Sequence, residues 1–262
     1  MISFAEKIDI PHLKKLWQIS FGDKNEYIDF FFENRFDEKE CIVFKENNVP
    51  VSMLFAFDCS LSDGLKGKYI YAACTLPQCR GKGIMGKLIE YAKEAFINDL
   101  KYDFLCLVPA SERLFGYYAK FGFKPFFKHE ITSLTNNDPT LKAFPALQFE
   151  DFVLLREKFL SNAVRWGENH LKYIFDENLF RAGKNIKIND GYVLFREEDD
   201  TCTIIEYAGD IKEKDFLSLT KCKKVNIRKP AADDSFKYNG MIFTGKSTLL
   251  NSNDTFLSLV LD

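Results

Sequence analysis

Gln78-Cys79-Arg80-Gly81-Lys82-Gly83 is where the chemistry of this sequence is concentrated. A strand-like run, residues 69–76, leads into it, and an amphipathic run, residues 84–98, follows. A chain that leaves a strand, turns at glycines and opens a helix aims unpaired backbone N–H groups and the positive end of the helix dipole at one spot. That arrangement binds phosphate, and the question is which phosphate-bearing ligand.

Two other phosphate patterns compete, and the context of each argues against it. Gly81-Lys82-Gly83-Ile84-Met85-Gly86 also reads as G-x-G-x-x-G, the dinucleotide fingerprint. That fingerprint needs its first glycine close behind the strand and an acid ending the next strand. Here Pro77-Gln78-Cys79-Arg80 intervene, and Asp103 precedes the next strand, residues 104–108, instead of ending it. Gly240-Met241-Ile242-Phe243-Thr244-Gly245-Lys246-Ser247 satisfies G-x-x-x-x-G-K-S. A P-loop requires a buried strand before it and a helix after it. Phe236-Lys237-Tyr238-Asn239 is a poor buried strand, and Asn251-Ser252-Asn253-Asp254 breaks any following helix. It reads as a chance match.

Q-x-x-G-x-G between a strand and a helix resembles the acetyl-coenzyme A pyrophosphate loop of the GCN5-related N-acetyltransferase (GNAT) family. The resemblance continues in order: an apolar strand, Phe104-Leu105-Cys106-Leu107-Val108, then a short helix ending Tyr117-Tyr118-Ala119-Lys120-Phe121-Gly122-Phe123, which is similar to the family's Tyr-x-x-x-Gly-Phe signature. It covers about the first half of the chain. It implies a GNAT fold and an enzyme that moves an acetyl group from acetyl-CoA, as co-substrate, to an amine by direct attack. The pyrophosphate would lie on the backbone from Gln78 through Arg80, Gly81, Lys82, Gly83, Ile84, Met85 and Gly86. Cys74, Thr75 and Leu76 would line the pantetheine and acetyl group. Arg80 and Lys82 would add charge, or stand as solvated cations. Tyr118 would be the general acid, since a phenol with a pKa near ~10 stays protonated at neutral pH and can protonate a departing thiolate.

Each of these residues also has a plainer reading. Leu114, Tyr118 and Phe121 form an apolar helical stripe, so Tyr118 could be core, and Tyr117 is the neighbour most easily confused with it. Ser111 reads as an N-cap rather than a nucleophile, and Cys74 as an inert buried thiol. Glu26, Asp29 and Glu33 are candidate bases that a solvated helix face explains equally well. Two rivals stand beside the acetyltransferase: an acyltransferase for a longer acyl-CoA, and a non-catalytic acyl-CoA-binding or interaction protein. The acceptor amine, small molecule or peptide, is not written in these residues.

Composition narrows the class. The chain has 262 residues, 46% hydrophobic and 28% charged, with a net charge of −2, so it can bury a sizeable core and carries no overall electrostatic footprint for nucleic acid. No apolar run approaches membrane-spanning length, and the N-terminal residues do not read as a signal peptide. Seven scattered Cys without C-x-x-C and three lone His argue for free thiols in a reducing cytoplasm and for no metal site.

The elements follow from hydrophobic period and turn residues. Helices are expected at 10–20 and 24–34, strands at 40–45 and 49–59 joined by Glu46-Asn47-Asn48, a strand at 69–76, a helix at 84–98, a strand at 104–108, a helix from Ser111 to Gly122, and a strand at 125–134. That order builds an α/β mixed sheet with helices on both faces. Thr135-Asn136-Asn137-Asp138-Pro139 reads as a linker, dividing a catalytic domain at 1–135 from a domain at 141–262. The latter repeats the pattern with helices at 149–159, 168–175 and 213–220 and strands at 191–197, 201–208 and near Val225 and Phe256. Gly209-Asp210-Ile211-Lys212 stands where a phosphate loop belongs, so the second half reads as a degenerate copy without cofactor machinery. It is expected to pack on the first and wall the acceptor side. By resemblance to the tandem enhanced-intracellular-survival type, the carboxylate of Asp262 is a further candidate base.

Overall fold

The computed structural model describes residues 1–137, 140–161, 163–231, 237–245, 250 and 256–260. The chain divides into two compact units, one of Met1–Phe126 with Gly240–Asn251, the other of Phe127–Asn239 with Ser252–Asp262.

In the first unit, β1 (Ile2–Phe4), β2 (Cys41–Glu46), β3 (Val49–Ser60), β4 (Lys66–Thr75) and β5 (Phe104–Leu107) lie side by side in that order, followed by part of a late strand, Lys237–Thr244. The β4–β5 pair is parallel; the others, including Met241–Thr244 against Leu107–Phe104, are antiparallel. The β2–β3 hairpin turns at Asn47 and Asn48, both left-handed at φ 49° and 62°, as a two-residue hairpin turn requires.

Alternation along β3 decides which face each helix covers. Phe55 and Phe57 join Trp17 of α1 (Ile10–Phe21), Phe31 and Phe32 of α2 (Asn25–Asn34) and Tyr71 in an aromatic layer, with the Trp17 and Phe31 ring centres 4.5 Å apart. Leu54 and Ala56 face the other way, into a core with Leu88, Ile89 and Ala92 of α3 (Ile84–Ala92) and Tyr118 of α4 (Glu112–Ala119). The long helix expected at 84–98 is α-helical only to Ala92 and continues as a wider π-turn over Lys93–Asp99, which buries Ala95 and Phe96.

In the second unit β6 (Lys124–Thr135) is followed, side by side, by Lys224–Lys229, Thr201–Ala208, Gly191–Glu198 and Lys184–Ile188. Its chain order is α5 (Phe149–Phe159), a two-residue β7 (Arg165–Trp166), α6 (Glu168–Phe180), β8 (Lys184–Ile188), β9 (Gly191–Glu198), β10 (Thr201–Ala208), α7 (Glu213–Leu217) and β11 (Lys224–Lys229). Pairing is antiparallel for β8–β9, β9–β10 and β11–β6, and parallel for β10–β11. That sequence of directions repeats β2, β3, β4, β5 and the late strand of the first unit. In each unit the strand after the parallel pair comes from the other half of the sequence. The expected linker is therefore structural at its start: Thr135 ends β6, and the buried Asn136 amide donates to the Leu217 and Thr220 carbonyls at 3.0 and 3.1 Å.

Arg156 lies at the heart of this unit, 5% exposed, donating to Glu206, to the Val164 carbonyl and to Ser258 Oγ. Tyr192 donates to the same Glu206 at 2.5 Å, so the buried charge pair is satisfied. Among the described residues no helix is long and apolar enough to cross a membrane.

Candidate active site

β4 and β5 pair from Gly67–Phe104 to Ile70–Leu107, where β5 ends, yet β4 runs on to Thr75. Just past that point β4 bulges: its register on β3 slips between Phe55 and Met53, and Ala72 takes φ 48°. A bulge bends its strand and sharpens the local twist. The segment Tyr71–Thr75 thus carries on beyond its parallel neighbour, leaving a backbone edge past the end of the β4–β5 ladder.

Beyond Thr75 the chain turns tightly. Leu76 N donates to the Val51 carbonyl at 2.9 Å, and a single 3-10 turn, Pro77–Cys79, brings Cys79 into a small core with Val51 and Ile84. Gly81 and Gly83 follow at φ 77° and 72°, and a Cβ at either would have nothing within 4 Å. Backbone conformation, not crowding, calls for glycine here, and the space over the loop is open. Gly83 is also the residue before α3, and no side chain caps that helix start. The first N–H groups of an α-helix have no acceptor within the helix, so an uncapped start leaves them available to an anion. Gln78, Arg80 and Lys82 are exposed at the rim, Ile84 is buried, and Met85 is half-buried. Gly86 has a packing role as well, since a Cβ there would lie 3.0 Å from the Phe121 ring.

Arg80 is not simply a solvated cation. Its Nε donates to the Thr75 carbonyl at 2.9 Å. Ser52 of β3, which no motif marks, is fully buried; its hydroxyl donates to the Cys74 carbonyl at 2.8 Å and lies 2.8 Å from Thr75 Oγ1. The only trace of it in sequence is a serine inside the otherwise apolar run Val51–Phe57.

Tyr118 combines its two readings. It is 8% exposed, packs in the α3–α4 core, and meets the Tyr117 and Phe123 rings at 5.3 and 6.0 Å. Burial, helped by Tyr117, pushes its phenol up to about 12. Such a group holds its proton throughout the neutral range. Tyr117 is half-buried and raised by burial alone. Cys74 is buried and pushed up to about 12, chiefly by desolvation, so it is a protonated thiol and not a nucleophile. Ser111 sits at the N-cap position of α4, but the expected cap bond is not made. Glu26, Asp29 and Glu33 are exposed on α2, with Asp29 paired to Lys14 at 2.7 Å, as a solvated helix face would be.

The two competing phosphate patterns are used otherwise. Asp103 precedes β5, where its carboxylate accepts from Lys66 N at 2.9 Å. Lys237–Thr244 is strand; Lys237 and Tyr238 at its start are exposed, in keeping with a poor buried strand there, and the backbone of Met241–Thr244 is engaged with β5. Lys246, Ser247 and Asp262 lie outside the described residues.

Residues 2–126 match the family model of the acetyltransferase (GNAT) domain. No curated protein matches the chain. Three solved structures share its fold over nearly its whole length. A probable N-acyltransferase from Enterococcus faecalis V583 is 15% identical, with 93% of this chain and 72% of that one covered at a TM-score of 0.69. A GCN5-related N-acetyltransferase from Kribbella flavida is 14% identical, with coverages of 92% and 70% and a TM-score of 0.69. Eis1 from Mycobacterium abscessus is 11% identical, with coverages of 93% and 73% and a TM-score of 0.68. At these identities the likeness is one of fold, and it spans both units. The family-model match on residues 2–126 takes in the bulged β4, the glycine loop and α4, so this part of the chain is an acetyltransferase (GNAT) domain.

Proposed function

We propose that this protein is an acetyl-CoA-dependent N-acetyltransferase, with the co-substrate bound by the first unit. The observation that carries the reading is the pair of left-handed glycines under open space at the uncapped start of α3, directly after a strand that outruns its parallel neighbour. The pyrophosphate would lie on the N–H groups from Arg80 to Gly86, and the pantetheine and acetyl group along Cys74–Leu76.

Transfer then needs few groups. A neutral amine attacks the thioester carbonyl, the C–S bond breaks, and the thiolate takes the Tyr118 proton. The proton lost by the new amide's nitrogen passes to water, and Tyr118 is reprotonated from solvent. Holding both partners in line can supply roughly 7–11 kcal/mol of the barrier, so a single proton donor suffices beside it. The second unit, with no equivalent loop among its described residues, is read as a copy that has lost the cofactor and serves the acceptor side. The acceptor is a primary amine on a small molecule or a peptide.

The test is turnover of acetyl-CoA, followed by thiol release, against polyamines, amino acids, aminoglycosides and peptides. Acceptor-dependent release supports the reading. Tight CoA binding with no release for any amine would favour a non-catalytic acyl-CoA-binding protein, and turnover with longer acyl-CoA alone would change the donor.

A further inference from the structure

We propose that Ser52 and Arg80 are positioning residues that fix the strand end facing the acyl group, Ser52 by tying it to β3 and Arg80 by tying it to the phosphate loop; the proposal rests on the acetyltransferase reading above. A peptide unit is planar, so fixing its carbonyl oxygen also fixes the direction of the N–H on its other side. Two consecutive peptides are held this way. Ser52 Oγ holds the Cys74 carbonyl at 2.8 Å, and Arg80 Nε holds the Thr75 carbonyl at 2.9 Å. The Leu76 N–H of the second peptide is directed onto the Val51 carbonyl at 2.9 Å.

The need for such ties lies in the bulge. The register slip frees β4 from regular pairing near Ala72, and only the Met53–Cys74 and Ser52–Thr75 pairs resume beyond it. A short resumed ladder without a β5 neighbour is free to fray. Ser52 is buried, and a buried hydroxyl persists only where it is hydrogen-bonded; both of its partners are on the strand end. Arg80 comes from the loop itself, and a guanidinium bond to a carbonyl is stronger than a neutral one. One side chain therefore links the place where phosphate would sit to the backbone along which the thioester would lie. Charge on Arg80 and the Nε tie are separable: Lys keeps the first and loses the second.

The experiment uses the full chain and the variants Ser52→Ala, Ser52→Thr and Arg80→Lys, each accepted only if its Tm stays near wild type. Hydrogen exchange of the Leu76 amide is measured in the free protein, CoA affinity by calorimetry, and kcat with the best amine acceptor. Loss of either tie is expected to speed Leu76 exchange and lower kcat by about 10-fold each, the size of one ordinary-to-charged hydrogen bond. CoA affinity should stay within about twofold, because the backbone N–H groups that hold phosphate are untouched. Ser52→Thr, which keeps the hydroxyl, should restore both readouts. Wild-type exchange at Leu76 in Arg80→Lys and Ser52→Ala would overturn the proposal, as would a loss of CoA affinity with kcat intact. If the wild-type chain acetylates no amine, the acetyltransferase reading falls, while Leu76 exchange still decides the tie.

Discussion

Between β4 and α3 the first unit places Gly81 and Gly83, left-handed and with nothing within 4 Å of where a Cβ would be. Between β10 and α7 the second unit places Gly209, whose Cβ would lie 2.7 Å from the Gly191 Cα; a Cβ on Gly191 would lie 2.0 Å from the Ala208 carbonyl oxygen. Gly81, Gly83 and Gly209 each follow the strand that pairs parallel with the next one in its unit. In the first unit they hold space open, and in the second they let two backbones touch. The helix starts differ in the same sense. No side chain caps α3, whereas the Asp215 carboxylate accepts from Lys212 N at 3.1 Å at the start of α7, which spans only Glu213–Leu217. An acid already placed at a helix N-terminus takes the position an anion would want. Topology is shared by the two crossings; under the proposed function, what surrounds the glycines sets the capacity for phosphate.

The strongest way to break this comparison is to take away what completes the first unit. A fragment of residues 1–140 lacks Met241–Thr244, the antiparallel neighbour of β5. It should expose a β5 edge made of Phe104, Leu105, Cys106 and Leu107 and aggregate on expression, as light scattering would report. A monomeric, folded fragment that binds CoA would show that the late strand is dispensable.

Within the intact chain, Tyr118→Phe should lower kcat by roughly 10²–10⁴-fold with CoA affinity unchanged. Tyr117→Phe should leave kcat nearly as it was. The reverse outcome would move the proton donor by one residue.

Two glycine substitutions sharpen the contrast. Gly83→Val should weaken CoA binding by roughly 100-fold or more, because several hydrogen bonds to a charged group, each of about 1.5–3 kcal/mol, depend on that backbone. Circular dichroism should be unchanged. Gly191→Ala should do the opposite, costing about 1–3 kcal/mol of stability in urea unfolding through overpacking, with CoA affinity retained.

The smallest effect is in pH dependence. The folded-state phenol of Tyr118 lies at about 12, above its unfolded value near ~10. Its contribution to stability is complete below the unfolded value and lost as pH rises through the folded one. Denaturation between those limits should be less steep in Tyr118→Phe than in wild type. No loss of kcat from deprotonation of this tyrosine is expected below the folded value.

The elements that speak plainly in the sequence are those whose signal is local. Two glycines closely following an apolar run, a helix after them and Tyr-x-x-x-Gly-Phe need no distant partner to be read, and they mark the loop, α3 and α4. What stayed hidden depends on pairing across long stretches of chain. β1 is three residues long and is a strand because Phe44, Val43 and Ile42 stand opposite it. The late strand begins Lys237-Tyr238-Asn239-Gly240, a turn-like opening, and Met241–Thr244 is extended where it pairs with the distant β5. β8 alternates lysine and asparagine with isoleucine and takes its identity from β9. Asn136 looked like linker because its burial is supplied by carbonyls more than eighty residues away. Ser52 was invisible for the same reason: its partners, Cys74 and Thr75, become neighbours only after β3 and β4 pair.

Under the proposed function one unit holds the cofactor and its topological repeat does not. Calorimetric titration of the full chain with CoA, repeated on Gly83→Val, tests it most directly. A single site per chain that vanishes in the variant is the predicted result. Two sites per chain, or binding undiminished by the substitution, would contradict it.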